Sequence, residues 1–151
     1  MSAEIEIISA GTDQVEQIAP LFDAYRVWYG RTSDLNGARN FLSQRLRQGE
    51  SVIFLAKSDG RPVGFTQLYP LFSSVSMGSA WLLNDLFVVE SMRRCGVGTE
   101  LLEAAAEFGR QTGALRLHLQ TAPDNSAAQA VYQRHGWVRD DEYLCFTLNL
   151  A

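Results

Sequence analysis

Apolar residues recur along this chain with two periods, and the switches between them divide it into elements. Val15, Ile18, Ala19, Phe22, Tyr25 and Tyr29 follow the three- and four-residue spacing that lines one side of a helix. Asp13 is placed to cap its start, with Glu16 three residues on, and Gly30 to end it. Leu35, Ala38, Leu42 and Leu46 repeat the pattern behind Ser33-Asp34, with Gly49 beyond the end. The period then drops to two. Ser51 to Lys57 and Val63 to Tyr69 read as a hairpin around Ser58-Asp59-Gly60-Arg61-Pro62, after a first short strand at Ile5 to Ser9. Pro70 to Gly78 reads as a serine-rich loop and Ser79 to Val89 as a central strand.

Val97, Leu101, Ala105 and Phe108 mark a third helix from Val97 to Thr112. Leu115 to Thr121 alternates as a strand, Pro123-Asp124-Asn125 opens a short helix reaching His135-Gly136, and Trp137 and Tyr143 to Leu150 supply the last strands. The order β-α-α-β-β-β-α-β-α-β-β predicts an α/β fold of one domain, residues 1–151. Its mixed, mostly antiparallel sheet has about seven strands, with helices on both faces.

One junction in this pattern carries chemistry. Arg93-Arg94-Cys95-Gly96-Val97-Gly98-Thr99 joins the central strand to the third helix. The first N–H groups of a helix have no intrahelical acceptor, the helix dipole favours negative charge there, and glycines let the backbone approach an anion. A pyrophosphate is the ligand such a turn suits, although two glycines at a strand–helix junction also serve as plain turn chemistry. The turn is not a Walker loop, since Gly98 precedes Thr99-Glu100. Nor is it the three-glycine dinucleotide loop, since position 101 is leucine.

Composition narrows the class. The chain has 151 residues, 46% of them hydrophobic and 20% charged, enough for a core without staples. A net charge of −4 and scattered basic residues argue against a nucleic-acid partner. No apolar run approaches the ~20 residues that cross a bilayer, and Met1 to Glu6 lacks the basic-then-apolar pattern of a leader. The two cysteines, Cys95 and Cys145, form no disulfide framework, and no His/Cys/Asp spacing suggests a metal. A cytoplasmic protein fits all of this.

Two segments together resemble a known family. Val88-Val89-Glu90-Ser91-Met92-Arg93-Arg94-Cys95-Gly96-Val97-Gly98 resembles the acyl-CoA loop of the GNAT superfamily of N-acyltransferases, Arg/Gln-x-x-Gly-x-Gly/Ala. Asn125-Ser126-Ala127-Ala128-Gln129-Ala130-Val131-Tyr132-Gln133-Arg134-His135-Gly136-Trp137 resembles its later helix, Asn-x-x-Ala-x-x-x-Tyr-x-x-x-Gly-Phe. The subgroup most similar is that of bacterial histone-acetyltransferase-like enzymes acting on small molecules. Glu90, Arg94 and Trp137 depart from the usual proline, glycine and phenylalanine. None of the three removes an N–H from the loop.

The resemblance implies direct transfer of acetyl from acetyl-CoA, without a metal, to a primary amine. Amides of Arg94, Cys95, Gly96, Val97, Gly98 and Thr99 would cradle the diphosphate, with Arg93 at the family's first position. Main chain at Phe87 and Val88 would hold the pantetheine arm, and Asn125 would touch the cofactor. Tyr132 would protonate the leaving thiolate. A phenol of pKa ~10 can donate to a thiolate whose acid titrates near ~8.5. The other reading of Tyr132 is a core tyrosine with a backbone partner. Asp85 is the candidate base, on a face shared with Trp81, Leu83 and Phe87 unless a bulge intervenes; Asn84 is its helper or a pantetheine contact. The alternative is that Asn84-Asp85 satisfies backbone groups at such a bulge. Tyr25, Trp28 and Tyr29, the segment from Arg31 to Asp34 and the loop from Leu71 to Gly78 are the candidate acceptor-binding parts. The acceptor expected is a small-molecule amine. A protein lysine or N-terminus, or a non-catalytic acyl-CoA-binding module, stays open as an alternative. Edge strands late in the chain leave a homodimer open.

Overall fold

A computed structural model describes residues 4–151; residues 1–3, part of the segment from Met1 to Glu6 read above for a leader pattern, lie outside the described residues. The chain divides into two units, one running to Leu119 and one spanning Gln120–Ala151, each described by itself.

The first unit is built on one sheet, in the order β1 (Ile5–Ala10), β2 (Val52–Ser58), β3 (Arg61–Ser73), β4 (Gly78–Val88), β5 (Leu117–His118). The first four strands are antiparallel neighbours, and β5 lies parallel to β4. Its helices are α1 (Val15–Trp28), α2 (Leu35–Arg47) and α3 (Val97–Gln111). The Asp34 carboxylate accepts the Gly37 N–H at 2.9 Å, so α2 starts where its capping residue predicts. The start of α1 differs from expectation. A 3-10 turn, Thr12–Gln14, precedes it, and the Gln14 side chain, not Asp13, accepts the Gly11 N–H, at 2.6 Å.

Each face of the sheet is covered, as two hydrophobic helix stripes require. Ile53, Leu55, Phe65 and Phe87 pack with Val15, Ile18, Phe22, Ala38 and Leu42 of α1 and α2. On the opposite face, Phe54 packs edge-on and Trp81 at a tilt against Phe108 of α3, whose Val97, Leu101, Leu102 and Ala105 are buried. Each large side chain buried in this way contributes about 1.5–3 kcal/mol.

The register of β3 with β4 contains the decisive irregularity. Gln67 faces Asp85 and Leu68 faces Leu83, so Asn84 has no opposite residue. Residues paired across an antiparallel ladder share a face, and an extra residue therefore switches faces beyond it. Asp85 and Phe87 lie on the α1 side, whereas Leu83 and Trp81 lie on the α3 side with Leu68 and Phe108. The plain alternation that groups Trp81, Leu83, Asp85 and Phe87 is thus broken at Asn84.

The sheet has five strands among the described residues rather than about seven. β3 continues through Pro70 to Ser73 and β4 starts at Gly78, which shrinks the expected serine loop to residues 74–77. The strand expected from Leu115 to Thr121 is reduced to Leu117–His118. The second unit contains α4 (Ser126–Arg134), and the alternating stretch from Tyr143 to Leu150 forms no ladder. A period of two states a preference for pleated surroundings; without a paired neighbour it makes no strand.

Candidate active site

β4 carries the site from its bulge to its end. Past Val88 come a 3-10 turn, Glu90–Met92, then Arg93 in extended conformation, and α3 begins at Val97. Gly96, the residue before α3, has φ +87°, a value glycine adopts without cost. Arg94 adopts φ +64°, unusual for a residue with a side chain. None of the N–H groups from Arg94 to Gly98 has a hydrogen-bond partner among the described residues. A Cβ added at Gly96 or Gly98 would meet nothing within 4 Å, so neither glycine is required by packing inside the protein. Unused amides at a helix start, open space beside the two glycines and two arginines suit a diphosphate. Arg93 is partly committed: its Nε donates to the Val88 carbonyl at 3.1 Å, and its guanidinium lies 6.0 Å from the Phe87 ring centre. It ties the turn to the end of β4.

The edge of β4 beyond this point is open to an extended ligand. β5 pairs with β4 at Trp81 and Leu82 alone, so no described strand covers Leu83 to Val88 on that side. The main-chain positions expected to hold a pantetheine arm, Phe87 and Val88, fall within this stretch.

Asp85 lies on the face covered by α1 and α2, 5% exposed. Gln67 Nε2 donates to Oδ2 at 2.6 Å, Asn84 Nδ2 donates to Oδ1 at 3.1 Å, and the Tyr25 hydroxyl supplies a further bond. The Thr66 hydroxyl donates to the Asp85 carbonyl at 2.8 Å. No arginine or lysine pairs with this carboxylate among the described residues. Burial lifts its pKa above the ordinary 3.8, while bonds from Gln67, Tyr25 and Asn84 pull the other way. The neighbouring phenols respond to the same burial and the same negative charge. Tyr69 is pushed up to about 12, and Tyr25 is raised further, by burial first and then by Asp85. Both remain protonated donors at neutral pH.

Tyr25 also connects this carboxylate with the surface. Its ring sits 5.9 Å from Phe87 and 5.0 Å from Tyr29, and Tyr29 lies 5.0 Å from Trp28. Tyr25 is half-buried, but Trp28 and Tyr29 are 59% and 64% exposed. Core packing therefore accounts for the first and not for the other two. Next to them Asp23 accepts from the Ser33 hydroxyl at 2.6 Å and the Asp34 N–H at 2.7 Å, and these bonds lower its pKa. They fix the segment from Arg31 to Asp34 against α1.

The other predicted residues lie in the second unit. Asn125 caps α4, its side-chain oxygen accepting the Ala128 N–H at 3.3 Å, so at least part of its role is local. Tyr132 is half-buried with its ring 6.1 Å from that of Trp137, whose N–H donates to the Tyr132 carbonyl at 3.0 Å. The aromatic at 137 thus packs on the tyrosine whose helix it follows. Cys95 is exposed with its thiol 3.6 Å from the Arg93 carbonyl. No group of three or more His, Cys, Asp or Glu is arranged for a metal, and no helix is long and apolar enough to cross a membrane, among the described residues.

Gln67 and Tyr69 are functional candidates that the sequence reading passed over. A signal was present: within the run from Val63 to Leu68, Gln67 is a long polar residue among apolar and small ones. What it faces depends on the β3–β4 register, which no local pattern reveals.

Comparison with known proteins identifies the family. Residues 14–137 match the family model described as Acetyltransferase (GNAT) family. An uncharacterized N-acetyltransferase of Bacillus subtilis, YhfO, is 46% identical over 97% of this chain and 98% of its own. An aminoglycoside N(6')-acetyltransferase type 1 of Klebsiella aerogenes is 30% identical over 70% of this chain and 71% of its own. The crystal structure of a probable acetyltransferase superposes with a TM-score of 0.92 at 42% identity, covering 97% of this chain and 98% of that one.

Proposed function

The chain belongs to the GNAT family and is an acetyl-CoA-dependent N-acetyltransferase, and from that premise we propose that its acceptor is the primary amine of a small molecule, attacking the thioester directly. One observation carries the reading. Asp85 is a buried carboxylate held by neutral donors, with no arginine or lysine paired to it among the described residues. Such a group is suited to receive an ammonium ion and to take its proton, because burial has already raised its affinity for one. Exposed Trp28 and Tyr29, leading to Tyr25, offer aromatic faces to a cation on its way in.

Acetyl-CoA supplies the activated acyl group. The amides from Arg94 to Thr99 hold its diphosphate, and Arg93 keeps their turn seated on β4. Phe87 and Val88 offer main-chain groups along the open edge, and Asn125 adds a contact. Asp85 removes the proton from the incoming nitrogen, with Asn84 and Tyr25 orienting its carboxylate. Tyr132 returns a proton to the departing thiolate. Residues 1–151 act together as one domain in this reading, and the family match does run across both units.

The relative named as an aminoglycoside acetyltransferase supports a polar, multiply aminated acceptor. The test is thiol release from acetyl-CoA with a panel of amino sugars, polyamines, amino acids and peptides. Turnover with one class of small amine is expected. Turnover confined to peptides would overturn the small-molecule assignment.

A further inference from the structure

We propose that Gln67 is a positioning residue of the reaction: it holds the Asp85 carboxylate in its proton-accepting state and orientation from the facing strand. The inference rests on Asp85 being the base. Gln67 stands opposite Asp85 in the ladder, immediately before the bulge, and is 0% exposed. Its Nε2 donates to the carboxylate at 2.6 Å, a shorter bond than the 3.1 Å one from Asn84. Its Oε1, equally buried, has no hydrogen-bond partner among the described residues.

That unpartnered oxygen argues against a purely structural role. A residue selected only to fill this space would be apolar and would leave no buried acceptor unsatisfied. The chain instead keeps an amide whose one used end points at Asp85. Only the NH2 end can face an ionised carboxylate, so the arrangement favours the state that can accept a proton. Once Asp85 Oδ2 has taken the proton, its new O–H faces a donor. Rotation of the Gln67 amide then presents Oε1, the group without a partner, to accept that O–H. One side chain in this way serves both protonation states. The remaining groups around the carboxylate are Asn84 on its own strand, Tyr69 on β3, itself influenced by Arg45 of α2, and Tyr25 of α1, bonded onward to Tyr29. The carboxylate acts on Tyr69 through its charge, and Asn84 donates to the other carboxylate oxygen, Oδ1.

The test replaces Gln67 in the full-length protein with Met, of similar length but without a donor, and separately with Glu, of the same shape but carrying like charge. Carbon-13 NMR of aspartate-labelled protein follows the Asp85 carboxyl, assigned by its disappearance in Asp85→Asn. Its midpoint should rise by about one pH unit in Gln67→Met and by more in Gln67→Glu. The acid limb of kcat/KM, measured with the best amine of the panel, should move by the same amount, while the affinity for acetyl-CoA stays within about twofold. A midpoint unchanged in folded Gln67→Met or Gln67→Glu overturns the proposal. If the carboxyl titration moves and the rate profile does not, Gln67 touches Asp85 without serving the reaction, and the base assignment falls with the positioning role. Should one variant fail to fold, the other still decides.

Discussion

The two ends of the β4 site are built on opposite terms. At the bulge, the carboxylate of Asp85 is buried and held by Gln67, Asn84 and Tyr25. Beyond the end of the same strand, the amides from Arg94 to Gly98 have no partners among the described residues, and Arg94 holds an unusual φ. The difference follows from solvent. A charged group cut off from water must be satisfied by the protein, so the bulge region is prebuilt. Arg94, Cys95 and Gly96 are exposed, so their amides can be hydrated until a ligand arrives and the turn can keep bonding capacity free for an anion.

Substitutions at each end should break the comparison in different ways. Asp85→Asn has the largest expected effect: a loss of about 10²–10⁴-fold in turnover, with acetyl-CoA affinity nearly unchanged. Stability should move in the other direction. A folded-state pKa above the unfolded value means that Asp85 favours folding below the unfolded pKa and loses that contribution as pH rises through the folded one. Asp85→Asn should therefore melt higher than the parent at neutral pH, and the two melting curves should converge in acid. A variant that melts lower at neutral pH would show that the carboxylate stabilises the fold, contrary to its proposed role.

Gly96→Asp should come next. It places a side chain at φ +87° and a negative charge where the amides converge, and calorimetry should find acetyl-CoA binding weakened by more than about tenfold. Unchanged affinity would remove the diphosphate from this turn. The smallest effect sharpens the comparison instead. Arg94→Gly relieves a left-handed backbone and should raise stability by about 0.5–1 kcal/mol, read from denaturant melts. It should also weaken acetyl-CoA binding about two- to fivefold through the lost charge. Gains in both stability and affinity would mean that the arginine has no part in binding.

The turn was legible in the chain because its chemistry is local. Strand, glycines and helix start adjoin one another, and their order alone says which amides will lack partners. The pair of motifs around Gly96 and Tyr132 could be read for the same reason. Asp85 was visible only as a carboxylate among apolar residues. Gln67 was not visible as its partner, because they are 18 positions apart and meet through a ladder whose register shifts beside them.

Helix starts at Asp34 and Gly96, the interior character of the β2 and β3 positions, and the anion-ready turn were therefore determined by sequence, since each rests on contacts within a few residues. Strand number, the face on which Asp85 lies, and the identity of its donors were decided only by tertiary pairing. A strand exists when another chain segment completes its hydrogen bonds, and one unmatched residue, Asn84, is enough to reverse which side of the sheet every residue beyond it occupies.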